Sequence, residues 1–210
     1  MSMALKHLDS MRRINVVRIV VRGTLSPLEG ALLGLLHELP RSGYALRKLF
    51  ATTPMGTFSD SPGSIYPALR RLARRKFIAG NIENARSLRP RQVFRLTPQG
   101  LEALRGWLLR PVVREELARN FGLILLRFVF MPPAVGVPAT RKFLQQVERG
   151  LAAYVRDLRV FAKASASTMP VGGRLGVDAG VEICTAHLRW TRHARRTLAR
   201  SGRGHSSRRS

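Results

Sequence analysis

Three observations along this 210-residue chain predict a mostly α-helical protein with one small two-stranded β element. Apolar residues recur at helical intervals of three and four through most segments. Helix start signals stand ahead of those segments, and two short runs with strand character lie close together near the middle.

Residues 25–110 read as one unit. Ser26 caps a first helix with Pro27 at its first position, and Glu29, three residues on, completes a capping box. Leu28, Leu32, Leu35, Leu36 and Leu39 keep helical spacing until Pro40 stops the run. Ser42-Gly43 turns the chain into a short second helix, YALRKLFA, and a connector with Pro54 and Gly56 leads to SPGSIYPALRRLARRKFI, a third. The strand-like runs FIAGNIENA and QVFRLT follow, separated by the basic, proline-containing RSLRPR. Strict alternation does not place Val93 and Leu96 on one face, so the second run has an open register. Thr97 as cap and Pro98 at the first position then begin TPQGLEALRGWLL. Helix, helix, helix, strand, strand, helix, with a basic loop between the strands, is the order of a winged helix-turn-helix. In that arrangement one helix enters the DNA major groove and the hairpin loop touches the neighbouring backbone.

The charge balance agrees. Lys and Arg number 37 against 12 Asp and Glu, a formal charge of +25, which draws polyanions. On a wheel of about 100° per residue, Leu69 and Leu72 fall within about 40° of Ile65, making an apolar stripe. Arg70, Arg71, Arg74 and Pro67 occupy the other half, with Ser64 and Tyr66 at the flanks. No acidic residue occurs between Asp60 and Glu83, which excludes helix-local salt bridges as the reason for these arginines. The expected DNA-contacting set is therefore Ser64 (as helix cap), Tyr66, Pro67, Arg70, Arg71 and Arg74, with Arg86, Arg89 and Arg91 from the wing. A merely solvated basic face, and a Tyr66 half-buried between helices, are the alternatives.

SPGSIYPALRRLARRKFI resembles the recognition-helix signature of PadR-type transcriptional regulators: a small residue, an aliphatic and Tyr-Pro ahead of alternating Leu and basic positions. LSPLEGALLGLL, SGYALRKL and VFRLTPQGLEAL fall in the family's order as first helix, second helix, and wing strand with the helix after it. Ser42 stands where the family usually has His, and Val93-Phe94 replaces an aromatic-rich wing end. The resemblance implies a homodimeric, ligand-responsive regulator, often a repressor, without catalysis. Its partners would be a double-stranded DNA operator and a small hydrophobic or aromatic effector.

The remaining residues divide into 1–24, an N-terminal extension or extra helix; 111–200, a helical dimerisation and effector domain; and 201–210, a basic tail expected to be disordered. Leu144, Val147, Leu151, Tyr154, Leu158 and Phe161 recur at three and four, as do Val181, Cys184 and Leu188 further on. Two such helices joined through SASTMPVGGRLG form an antiparallel hairpin. Its seam serves either a second copy or, within the chain, FGLILLRFVFM; the resemblance favours the second copy. GGRLGVDAG reads as a turn.

Cys184, the sole cysteine, excludes an internal disulfide and fits a reducing, cytoplasmic setting. Arg127, Pro132 and Pro133 interrupt FGLILLRFVFM, so no segment is expected to span a bilayer. Acidic residues are too sparse for a carboxylate pair, and the five histidines lack metal-like spacing. No enzyme activity, metal or cofactor is expected. Trp107, Trp190, Phe121 and Phe128 line an effector pocket or belong to the core. A protein-docking winged-helix adaptor and a nonspecific DNA binder are the competing functional readings.

Overall fold

Ser26 Oγ accepts from the Glu29 amide at 3.2 Å while the Glu29 carboxylate accepts from the Ser26 amide at 3.0 Å, and this reciprocal cap starts helix α1 (Pro27–Glu38). The computed structural model describes residues 24–58, 62–83 and 91–201. Helix α1 is the pillar of the core: Leu28, Ala31, Leu32, Leu33, Leu35 and Leu36 are all buried, so it is enclosed on nearly every side. Its glycines permit that enclosure; a Cβ at Gly30 would lie 2.7 Å from the Trp107 ring.

Two residues after Leu39 form a strand, β1 (Arg41–Ser42), and Ser42 then caps α2 (Gly43–Thr52) by accepting from the Ala45 amide at 3.2 Å. Two 3₁₀ turns, Pro54–Phe58 and Pro62–Ser64, lead into α3 (Ile65–Arg74). Strands β2 (Ile78–Glu83) and β3 (Arg91–Leu96) pair antiparallel, Ile78 opposite Leu96 and Glu83 opposite Arg91. Thr97 caps α4 (Pro98–Leu109), accepting from the Gly100 amide at 3.0 Å. Helices α5 (Arg114–Arg119), α6 (Phe121–Ala164) and α7 (Val171–Ser201) complete the described chain.

The fold is the mostly helical, winged helix-turn-helix architecture with a C-terminal helical part that the sequence predicts. The sheet, however, has three strands in the order β1-β3-β2. Arg41 pairs with Phe94 and Ser42 with Val93. A two-residue strand is too short to show alternation, which is why the sequence predicts two strands. The open register also resolves: Phe94 is buried and Leu96 packs against the core beside it, so Val93 lies on the other face.

Three expectations for the C-terminal half need correction. Pro132 and Pro133 lie inside α6 rather than ending it, and the break comes at Gly136, where φ is 82°. A residue without Cβ accepts that conformation, and Pro138 then stands in the first turn of the resumed helix, where its missing N–H costs little. With the prolines absorbed, α6 is long and apolar enough, by length and composition, to cross a bilayer. Its first half is instead packed against α1, α4 and α7, and Arg127 within it is fully buried. Finally, GGRLGVDAG is not a turn but part of α7.

Helices α6 and α7 form the expected hairpin. Glu148 ties them together by accepting a hydrogen bond from Arg192 at 3.0 Å and forming an ion pair with Arg195 at 3.1 Å. The Phe121 ring stacks on His187, 3.8 Å between centroids and 8° apart, and Trp190 meets Phe121 and Phe128 edge-on. Burial pushes the pKa of His187 down and that of the Cys184 thiol up.

One buried ionic cluster joins this hairpin to the winged unit. Arg127 donates to the Leu108 carbonyl at 2.8 Å, to the Arg110 carbonyl, and to Glu116 at 3.1 Å. Arg110 also pairs with Glu116, and the Arg127 guanidinium lies 4.7 Å from the Phe143 ring centre. Burial pulls the Arg127 pKa down to about 10 against the opposing pull of Glu116, so it stays charged at neutral pH. A single side chain thus touches the end of α4, α5, and α6 beyond its break.

Candidate nucleic-acid interface

Helix α3 is divided by its sequence into two faces. Ile65, Ala68, Leu69 and Leu72 are buried, whereas Tyr66, Arg70, Arg71 and Arg74 are exposed. At its C-terminus the Phe77 amide reaches back to the Leu72 carbonyl at 3.0 Å and the Lys76 amide to Ala73 at 2.9 Å. Lys76 takes the left-handed conformation, φ 59°, that such helix ends require. This tight exit carries the chain directly into β2 and fixes the wing beside α3.

The residues expected to meet DNA fall into two groups. Arg70 and Arg74 point outward, with no ion pair among the described residues. Arg71 does not join them. Its Nε donates to Glu29 at 2.9 Å, and that carboxylate is only 7% exposed. Absence of acid near Arg71 in the sequence was therefore no guide, because its partner lies 42 residues away on α1. Ser64 and Pro67 share this flank, lining with Ser26, Thr57, Arg71 and Asn120 a cavity of about 700 Å³. Nor does Ser64 cap α3 through its side chain: its backbone is already helical, because the 3₁₀ turn before it runs straight into the helix.

Tyr66 is 42% exposed, and a Cβ at Gly43 would stand 2.9 Å from its ring. The glycine lets the start of α2 approach Tyr66, bringing α2 to the same end of the interface. There Tyr44 and Arg47 are exposed, the Arg47 guanidinium 5.6 Å from the Tyr44 ring centre, and Lys48 is exposed beside them. These were missed in the sequence, although the adjacent cations of YALRKLFA, on a helix without acids, were a signal for them. Arg86 and Arg89 lie outside the described residues, and Arg91 is placed through its backbone pairing with Glu83.

The expected dimerisation residues also divide. Leu144, Val147, Leu151, Cys184 and Leu188 are buried within the single chain; Tyr154, Leu158 and Val181 are half-buried, and Phe161 is exposed. Most of the seam is used inside the hairpin. Trp107 packs on Gly30, and Phe121, Phe128 and Trp190 pack on one another, as core aromatics do. Among the described residues no cluster of His, Cys, Asp and Glu is arranged to hold a metal ion.

The Glu29–Arg71 pair gives a first prediction. Arg71→Ala is expected to lower the free energy of unfolding by about 1–3 kcal/mol, since it leaves a buried carboxylate short of a charged donor. Arg70→Ala should change it by less than about 0.5 kcal/mol. Urea denaturation of the two variants measures the difference, and equal stability would remove the structural role of Arg71.

Residues 32–106 match the model of the transcriptional regulator PadR-like family. No curated protein matches the chain. Among solved structures, Bacillus subtilis PadR in complex with operator DNA is similar at 23% identity, covering 81% of this chain and 98% of that one, with a TM-score of 0.39. A PadR-like transcriptional regulator from Bacillus cereus is similar at 22% identity over 81% and 94% of the two chains, TM-score 0.37. Bacillus subtilis PadR in complex with p-coumaric acid is similar at 22% identity over 82% and 96%, TM-score 0.35.

Proposed function

We propose that this chain, whose residues 32–106 are of the PadR-like transcriptional regulator type, is a sequence-specific DNA-binding regulator acting as a ligand-responsive homodimeric repressor in the cytoplasm. The observation that carries the reading is α3: its inner face is wholly apolar and buried, its outer face presents Arg70 and Arg74, and the β2–β3 hairpin follows directly. Arg70 and Arg74 enter the major groove, Tyr44, Arg47, Lys48 and Tyr66 hold the flanking backbone, and the wing arginines Arg86, Arg89 and Arg91 hold the backbone on the other side. Arg71, Ser64 and Pro67 set the angle at which α3 is presented. Two copies give two heads on two half-sites, which one small domain needs for useful affinity.

A small hydrophobic or aromatic effector fits the junction of the two parts. A cavity of about 480 Å³ opens there between α4 and α6, lined by Leu108, Met131, Val135, Pro138 and Phe143 together with the polar Arg110, Lys142 and Gln146. Its walls meet at the Gly136 break, so an occupant would change the angle between the hairpin and the winged unit.

The test is fluorescence anisotropy with DNA from upstream of the chain's own gene and with scrambled DNA, over a salt series. A preference of about a thousandfold for the native sequence, with steep salt dependence, is the expected result. Equal salt-steep binding to both would replace specific regulation with nonspecific DNA binding. No binding at low salt would leave the protein-docking adaptor.

A further inference from the structure

Between the second half of α6 and α7 lies an open groove of about 590 Å³, whose apolar lining includes Val155, Val160 and Leu188. Arg156, Arg159 and Lys163 border it. Standing three and four residues apart, these cations share one face of α6 and span about 10.5 Å at 1.5 Å per residue. All three are exposed and make no ion pair among the described residues. The two acids of α6 do not answer them, because Asp157 pairs with Arg114 at 2.9 Å and Glu148 holds Arg192 and Arg195. Arg192 borders the groove as well, but with Glu148 on it the uncompensated charge belongs to α6. Thr185, contributed by α7, lines the groove with a buried hydroxyl that has no hydrogen-bond partner among the described residues.

Like charges at this spacing weaken a helix, and an apolar floor open to water contributes nothing to the fold. An occupant that is negative at one end and apolar at the other offsets both. Nucleic acid would answer the cations and leave the floor wet, whereas a neutral apolar molecule would leave the cations idle. A second copy, at +25, brings mainly more positive charge to this rim. Three cations spread over about 10.5 Å ask for more than one negative charge. The volume falls in the range of about 300–1,000 Å³ in which small molecules bind, and the unpartnered hydroxyl supplies a donor for a carbonyl.

We propose that this groove binds an amphiphilic anion, an acyl chain joined to a head group that carries several negative charges. The chain lies on Val155, Val160 and Leu188, the head lies against Arg156, Arg159 and Lys163, and the acyl carbonyl accepts from Thr185. The site shares no lining residue with the cavity at the Gly136 break, and it depends on neither the DNA reading nor the homodimer. Its occupant bridges α6 and α7 on the tip side of Glu148, and so clamps the half of the hairpin that the Glu148 ion pairs do not reach.

The test is isothermal titration calorimetry of the full chain with palmitoyl-coenzyme A kept below its micelle-forming concentration, and with coenzyme A and palmitate separately. Palmitoyl-coenzyme A is expected to bind, and each of its two parts to bind about tenfold or more weakly. Arg159→Ala with Lys163→Ala should weaken the whole probe by about tenfold or more. Arg141→Ala with Arg149→Ala removes the same charge from exposed positions of α6 outside the groove, and should leave the affinity unchanged. Val160→Asp, at a side chain 65% exposed, should weaken the probe without disturbing the core, as an unmoved urea midpoint would show. Coenzyme A binding as tightly as the whole probe would reduce the groove to a patch for any polyanion, and palmitate doing so would leave the cations without a role. Equal losses in the two double variants would trace the binding to net charge. Each of these results, or no binding of the probe because a second copy closes the groove, would overturn the site.

Discussion

Replacing Arg127 with alanine is expected to lower the free energy of unfolding by about 3–5 kcal/mol. The substitution leaves Glu116, 5% exposed, with Arg110 alone to balance it, and strips the Leu108 and Arg110 carbonyls of a donor. Domains of this kind are stable by about 5–15 kcal/mol in total, so such a loss would leave a marginal protein. Charge, not volume, is the cause, and a second variant shows this. Arg127→Met combined with Glu116→Leu removes both buried ions together, and paired removal is often close to neutral. Urea denaturation should therefore place the double variant well above Arg127→Ala. A cost below about 1 kcal/mol for Arg127→Ala would mean that the cluster does not hold the hairpin to the winged unit.

The second large effect is on DNA. Arg70→Ala with Arg74→Ala is expected to weaken binding to the chain's operator by about 2–4 kcal/mol, roughly 30- to 1,000-fold, and to relax sequence preference. Both side chains are exposed and unpaired among the described residues, so the unfolding midpoint should not move. A loss of affinity equal for operator and scrambled DNA, with a shallower salt slope, would reassign these arginines to phosphate contact. Unchanged affinity for both would remove α3 from the interface. Arg71 is a poor choice for this experiment, because its removal confounds a lost contact with the loosened Glu29 anchor.

What was legible in the sequence was whatever depends on near neighbours. The Ser26–Glu29 box, the Thr97 cap and the two-faced pattern of α3 each involve residues within one or two turns, and each appears in the structure. The reading went astray where a partner was distant or a local rule was overridden. Arg71 looked like a free cation until α1 brought Glu29 beside it. Arg127 looked like an interruption in an apolar run, yet the carbonyls at the end of α4 and the carboxylate of α5 make that run the right place for it. Periodicity marked Leu144, Val147 and Leu151 as a seam without saying whether the other side belonged to the same chain. For the cavity proposed to take an effector no signal existed, since its walls come from α4 and from both sides of the Gly136 break.

The embrace of α1 by α6 also sets an order of events during synthesis. Ile124, Phe130 and Met131 belong to the same apolar cluster as Leu32 and Leu36, although they follow the wing by some thirty residues. While the ribosome has delivered only the winged unit, α1 has one side without a neighbour, and the most leucine-rich face of the nascent chain stays wet. At about 5–20 residues per second, that interval lasts roughly a few seconds. The surface proposed to read DNA therefore matures late, only once the helix that leads to the hairpin has emerged and closed over α1, and a chain broken off before that point carries Arg70 and Arg74 on an unfinished support.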